Sequence, residues 1–102
     1  MKTPFPKQRV SRQELRSMFN NGCFRDRLRS GELRAVVKVS SHPSPEKAIE
    51  PVCTLSEILA YLDDNDQRIA LVHQFTRRDG SIGGSGLPDP KLLLVDGIWY
   101  YV

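Results

Sequence analysis

The strongest constraint on the fold lies near the end of the chain, where two apolar runs flank an Asp96-Gly97 dipeptide. Residues 92–95 precede the dipeptide and residues 98–102 follow it. An Asp-Gly pair favours the two-residue turn whose twist matches that of paired antiparallel strands. The sequence therefore predicts a C-terminal β-hairpin. If its last strand lies at the edge of the sheet, it offers a place for strand addition, so a homodimer through an edge strand is one expectation.

Two further stretches alternate in the way that half-buried strands do. They cover residues 32–40 and 68–77, and both are rich in Val, Ile, Leu and Phe. The Asp79-Gly80 dipeptide after the second stretch indicates a tight turn. Residues 81–90 are rich in Gly and Pro, and they predict either a weak edge strand or a shaped loop.

Two helices are predicted before the first of these strands. Ser11 and Glu14 have the spacing of a capping box, in which each side chain accepts a hydrogen bond from the other residue's amide. Asn20-Asn21-Gly22 is typical of a helix end, because these residues tolerate the left-handed conformation. A second, shorter helix is predicted over residues 23–30, and Gly31 is expected to end it.

A third helix is predicted in the middle of the chain. Thr54 and Glu57 repeat the capping-box spacing. Four apolar side chains then follow at the i, i+3, i+4, i+7 positions of one helix face. They are Leu55, Ile58, Leu59 and Leu62.

The order of these elements favours an α+β fold in a single domain over residues 1–102. Because the late strands are joined by tight turns, we expect a small antiparallel sheet of three to five strands, with two or three helices packed on one face. Residues 1–9 predict an irregular basic arm. Residues 41–52 hold three prolines and predict a loop.

Composition excludes several classes of protein. No apolar stretch approaches the roughly 18 residues of a membrane span, and no apolar segment at the start suggests an export signal. We therefore expect a cytoplasmic protein without membrane contact. The four Cys and His residues lack the spacing of zinc-ligand pairs, so we expect no metal and no cofactor. They are Cys23, His42, Cys53 and His73.

Positive charge is concentrated in the first third of the chain. Residues 1–38 hold ten basic and three acidic residues, whereas residues 39–102 hold five basic and nine acidic residues. Such a surface attracts nucleic-acid phosphates or an acidic protein. The alternatives are that these arginines are only solvated or that they pair with the acidic half. The residues predicted to contact phosphate or carboxylate groups are Arg12, Arg16, Arg25, Arg27 and Arg29.

His73 is the one candidate catalytic residue. It is either a hydrogen-bonded, partly buried histidine or a general acid or base in a metal-independent ribonuclease. Its acid–base partner is left open among Glu57, Tyr61, Tyr100 and Tyr101. Nearby in sequence are residues that can supply positive charge and hydrogen bonds, namely Arg77, Arg78, Ser81 and Lys91.

The segment from Gly80 to Gly86 allows two interpretations. Its amides can form a concave nest for phosphate, or its glycines can serve a sharply turning connection. The spacing of a P-loop is absent, and no helix can follow because of Pro88 and Pro90.

Three functions remain open at this point. The first is a small non-catalytic protein whose N-terminal arginines contact a nucleic-acid backbone or an acidic protein surface. The second is a ribonuclease-like enzyme centred on His73. The third is an accessory inhibitor of a larger protein machine, for which no particular residue argues.

Overall fold

The computed structural model describes residues 5–41, 50–51, 53–84 and 86–102. Within these residues the chain forms six strands and two short helices. In chain order the elements are β1 (Lys7–Arg9), α1 (Arg12–Asn21), α2 (Phe24–Arg29), β2 (Arg34–Ser41), β3 (Leu55–Leu62), β4 (Arg68–Thr76), β5 (Asp89–Val95) and β6 (Ile98–Tyr101).

The strands form one mixed sheet with the order β1-β6-β5-β4-β3-β2. The β1 and β6 strands are parallel, and every other neighbouring pair is antiparallel. Backbone hydrogen bonds join β6 to the chain around β1. Trp99 N donates to Pro6 O at 2.9 Å, and Val10 N donates to Tyr101 O at 2.7 Å.

The predicted fold class is wrong in the size and composition of the sheet. In place of a small antiparallel sheet with two or three helices, the described residues form a six-stranded mixed sheet with two short helices. Two segments account for the difference. The predicted helix over residues 55–62 is strand β3, and the basic arm predicted over residues 1–9 contains strand β1.

Strand β3 resembles a helix in sequence because it lies inside the sheet, between β2 and β4. The consecutive residues Leu59, Ala60 and Tyr61 are all buried, so both faces of this strand are apolar and no alternation remains. A continuous apolar run cannot be assigned to a helix or a strand from its spacing alone. The Thr54 side chain is buried and does not cap a helix.

The C-terminal hairpin is confirmed. Val95 pairs with Ile98, and the two turn residues, Asp96 and Gly97, have φ angles of 50° and 79°. Positive φ at both central positions is the geometry that favours an Asp-Gly dipeptide. However, β6 lies between β5 and β1 and is not an edge strand. In the described part of the sheet, the long edge strand is β2.

The first helix also begins as predicted. Glu14 N donates to Ser11 Oγ at 3.1 Å, and Ser11 N donates to a Glu14 carboxylate oxygen at 3.3 Å. At its end, Gly22 is required for steric reasons. A Cβ atom at this position would lie 2.7 Å from the Phe24 ring and 2.8 Å from the Met18 carbonyl oxygen.

The helices pack on one face of the sheet through aromatic side chains. The rings of Phe19 and Phe24 stack with their centroids 5.5 Å apart, and Phe19 also contacts the Tyr61 ring at 6.2 Å. Tyr61 pairs with Ala70 across the sheet, and Ala70 pairs with Leu93. All five side chains are buried in one apolar core. We call this side of the sheet the helix-covered face.

The opposite side, which we call the open face, carries a second row of paired residues. Ala60, Leu71, Leu92 and Tyr101 follow one another across β3, β4, β5 and β6. Paired residues in adjacent strands point to the same side of a sheet, and neighbours along a strand point to opposite sides. Ala60, Leu71 and Leu92 therefore belong to the open face, because each is adjacent in sequence to a residue of the helix-covered face.

The predicted loop over residues 41–52 lies mostly outside the described residues, and Ser41 itself ends β2. Among the helices that are described, none has the length and apolar character needed to cross a membrane.

Removal of the Phe19 ring tests this packing. Phe19 is 1% exposed, so Phe19→Ala is expected to lower the free energy of unfolding by about 3–5 kcal/mol. Phe5 is 42% exposed and provides a matched control, because Phe5→Ala removes the same ring from a solvated position. Chemical denaturation measures both changes. Equal losses in the two variants would contradict the packing described here.

Candidate functional site

A groove of about 530 Å³ lies on the open face of the sheet. Its apolar surface comes from Leu92, Trp99 and Tyr101, and two cationic side chains, Lys7 and Arg68, complete the lining. None of these five residues belongs to a helix, and none is acidic. The groove thus combines aromatic rings with positive charge.

Sheet register explains why these residues meet. The parallel pairing of β1 with β6 places Lys7 beside Trp99 and Arg9 beside Tyr101. The antiparallel pairing of β5 with β6 places Leu92 beside Tyr101. The Arg9 guanidinium lies over the Tyr101 ring, with its carbon 5.7 Å from the ring centroid. This cation–π contact adds a third positive charge to the groove.

The cations around the groove have no counter-charge among the residues that the structure describes. Lys7, Arg9 and Arg68 are exposed, and within the described part of the chain they form no ion pair. An unpaired cation can meet an incoming anion without first breaking an internal contact. This distinguishes the groove from most of the arginines singled out by the sequence.

Three of the five predicted arginine contacts are instead paired within the protein. Arg16 lies 3.4 Å from Asp89, Arg29 lies 3.1 Å from Asp26, and Arg27 pairs with Glu32. Arg27 also lies over the Phe24 ring at 5.7 Å. Only the Arg16 contact matches the alternative in which these arginines pair with the acidic half of the chain. The partners of Arg27 and Arg29 lie within the basic first third itself.

The remaining two arginines differ from each other. Arg12 is exposed on α1 and has no ion pair among the residues described. Arg25 is half-buried, and its charge acts on Tyr61. Burial raises the pKa of the Tyr61 hydroxyl, and the positive charge of Arg25 partly opposes that rise.

Most of the predicted binding residues that follow His73 in the chain also contact acidic side chains. Arg78 is the exception, because it is exposed and forms no ion pair within the described residues. The Ser81 hydroxyl donates to Asp79 at 2.6 Å, and Lys91 donates to Asp89 at 2.9 Å. Asp89 therefore brings Lys91 and Arg16 together.

Arg77 and the glycine-rich loop enclose the carboxylate of Glu50. The Arg77 guanidinium donates to its two oxygens at 3.0 and 3.4 Å, and the Gly84 amide donates at 2.6 Å. Gly83 is buried against the same carboxylate and has no room for a Cβ atom. Of the two interpretations of this loop, the phosphate nest would need amides that are free, and the Gly84 amide already binds an internal anion.

His73 lies on the same side of β4 as Leu71 and so belongs to the open face. Its Nε2 atom is 2.8 Å from the Ser56 hydroxyl, and its ring meets the Phe75 ring edge-on with centroids 4.9 Å apart. Burial lowers the pKa of the imidazole and the charge of Lys91 lowers it further, whereas Asp89 opposes the shift. A lowered pKa favours the neutral imidazole, which is the form that accepts a proton.

The hydrogen-bond partner of His73 is a residue that sequence reasoning missed. Glu57, Tyr61, Tyr100 and Tyr101 were the expected partners, but the contact comes from Ser56. Ser56 lies 17 residues away and reaches His73 because β3 pairs with β4, where His73 is opposite Ile58. With residues 55–62 assigned to a helix, no sequence signal joined the two side chains.

No group of three or more His, Cys, Asp and Glu side chains that could hold a metal ion occurs within residues 5–41, 50–51, 53–84 and 86–102. Comparison of the chain with protein-family models, with curated proteins and with solved structures finds no match.

The Glu50 contact has a consequence for stability in acid. Hydrogen bonds from Arg77 and Gly84 lower the pKa of the Glu50 carboxyl below its usual value of 4.5. At pH values between the folded and the unfolded pKa, the unfolded chain therefore binds more protons than the folded protein. The resulting stabilisation is fully present at pH values above the pKa that Glu50 has in the unfolded chain. It is lost as the pH falls through the lower pKa that Glu50 has in the folded protein.

We therefore expect Glu50→Gln to destabilise the protein at neutral pH and to flatten the decline of stability in acid. Denaturant unfolding between about pH 6 and about pH 3 measures both effects. A Glu50→Gln variant whose stability declines as steeply as that of the parent protein would show that the Arg77 and Gly84 contacts do not hold the carboxylate in solution.

Proposed function

We propose that this protein binds single-stranded nucleic acid through the groove on the open face. The observation that carries the proposal is the juxtaposition of Trp99 and Tyr101 with three cations that form no ion pair within the described part of the chain, namely Lys7, Arg9 and Arg68. Proteins that bind single strands combine aromatic side chains, on which bases stack, with positive charge that follows the backbone.

The free energy of base stacking and the volume of the groove both favour a contact with bases as well as with phosphates. Base–aromatic stacking contributes about 1–3 kcal/mol per base, and it is tolerant of sequence because every base has a flat face. The groove volume of about 530 Å³ lies within the range of roughly 300–1,000 Å³ that is usual for small-molecule sites. Bases in a duplex are stacked on each other, so only an unpaired strand can place one against Trp99.

The arginines of the two helices are a weaker basis for the same function. An anion that approaches Arg16, Arg27 or Arg29 competes with a carboxylate already in contact. Arg12 has no such competitor among the described residues, and its contribution stays a prediction. An acidic protein surface would satisfy the cations of the groove but would leave the two aromatic rings without a matching contact.

Titration with short oligonucleotides at low salt tests this proposal. Trp99 is the only tryptophan of the chain, so its fluorescence reports contact at the groove itself. Tyr101→Ala is expected to weaken binding by about 1–3 kcal/mol through loss of a stacking surface. Lys7→Ala and Arg68→Ala are each expected to weaken it and to reduce the slope of log K against log salt by about 0.7.

Arg29→Ala is the matched control, because it removes a cation that pairs with Asp26 on the same helix. It is expected to leave the affinity and the salt slope nearly unchanged. Loss of binding in Arg12→Ala and Arg16→Ala, with the groove variants unaffected, would instead assign binding to the helix arginines. Absence of binding to any single-stranded DNA or RNA at low salt would contradict binding at the groove and binding at the helix arginines alike.

Incubation of the protein with RNA tests the ribonuclease interpretation. His73 lies on the open face, and its lowered pKa favours the neutral ring that a general base requires. RNA that is cut by the parent protein and left intact by His73→Ala would support it. RNA recovered intact from both proteins would remove it without affecting the proposed binding.

A further inference from the structure

The contact between Ser56 and His73 has the geometry of an activated nucleophile. The Ser56 Oγ atom is 2.8 Å from His73 Nε2, within the 2.6–3.2 Å at which a general base can take the hydroxyl proton. Both residues lie in regular strands, Ser56 in β3 and His73 in β4, so their spacing is fixed by the sheet register. Both are partly exposed, which leaves the pair accessible from the open face.

Two charged residues of β5 complete the surroundings of this pair. Asp89 pairs with His73 across the sheet, and its charge favours the imidazolium that forms when His73 takes a proton. Lys91 is close enough for its charge to act on the same ring. Lys91 already donates to Asp89 at 2.9 Å, so its ammonium group must leave this carboxylate before it can stabilise the negative oxygen that develops during attack on a carbonyl group. The Phe75 ring beside His73 supplies an apolar surface.

We propose that Ser56 is a nucleophile that accepts an acyl group from small carboxylic esters, with His73 as its general base. This inference rests on the Ser56–His73 geometry and is independent of nucleic-acid binding in the groove. The substrate class follows from the site, which offers a nucleophilic hydroxyl, an apolar contact and one cation.

The reaction balances within the pair and its substrate. The Ser56 Oγ atom forms a bond to the carbonyl carbon of the ester while its proton moves to His73 Nε2. The carbon–oxygen bond to the alcohol then breaks, and the imidazolium returns the proton to the departing oxygen. Water repeats the sequence on the acylated Ser56, with His73 again as the base, and releases the carboxylic acid.

The experiment is acylation of the intact protein by p-nitrophenyl acetate, with the modified residue located by peptide mass spectrometry. The expected result is one acetyl group on Ser56 and release of p-nitrophenol. Ser56→Ala is expected to lose this label. In His73→Gln the rate of labelling is expected to fall about 100-fold or more, because a positioned general base contributes roughly 10²–10⁴-fold.

Ser30→Ala is the matched control, since the Ser30 hydroxyl donates to the Arg27 carbonyl oxygen at 2.9 Å and has no histidine partner among the described residues. It is expected to acylate at the rate of the parent protein. If His73→Gln is destabilised, added imidazole distinguishes the causes, because restored labelling of its Ser56 requires a folded site that lacks only the base. Labelling confined to lysines, or labelling of Ser56 that is independent of His73, would overturn the proposal.

Discussion

Both helices pack on the same side of the sheet, and the groove lies on the other side. The two short helices bury Leu15, Phe19 and Phe24 against one face of the sheet. They contribute no residue to the groove on the other face. The buried core of the helix-covered face therefore supplies the rigid base on which the open face presents Trp99 and Tyr101 to solvent.

Ion pairs are also distributed unequally between the helices and the strands of the groove. Arg16, Arg27 and Arg29 on the helices find acidic partners in the chain, whereas Lys7 and Arg9 on β1 find none among the described residues. An exposed ion pair contributes only about 0–1 kcal/mol to stability, but it lowers the positive potential available to a ligand. Net charge alone therefore indicates less about a binding surface than the position of each counter-charge.

Two local features of the sequence were predicted correctly, although the fold class was not. The capping box at Ser11 and the Asp96-Gly97 turn are decided by hydrogen bonds and φ angles within a few residues, and both were found as expected. Strand β3 could not be assigned from spacing, because burial on both faces removes the alternation. The candidate site depends on register across the sheet, since Lys7 meets Trp99, and Ser56 meets His73, only once the strands pair. No local pattern carries that information.

The ligand surface is proposed to lie on the open face and not on the helices. Backbone amide chemical shifts, recorded by NMR during titration with a short single-stranded oligonucleotide, distinguish these two locations. The largest changes are expected in β1, β6 and around Leu92 and Arg68, with small changes in α1 and α2. Shifts concentrated in the two helices, with β1 and β6 unaffected, would show that the open face is not the binding surface.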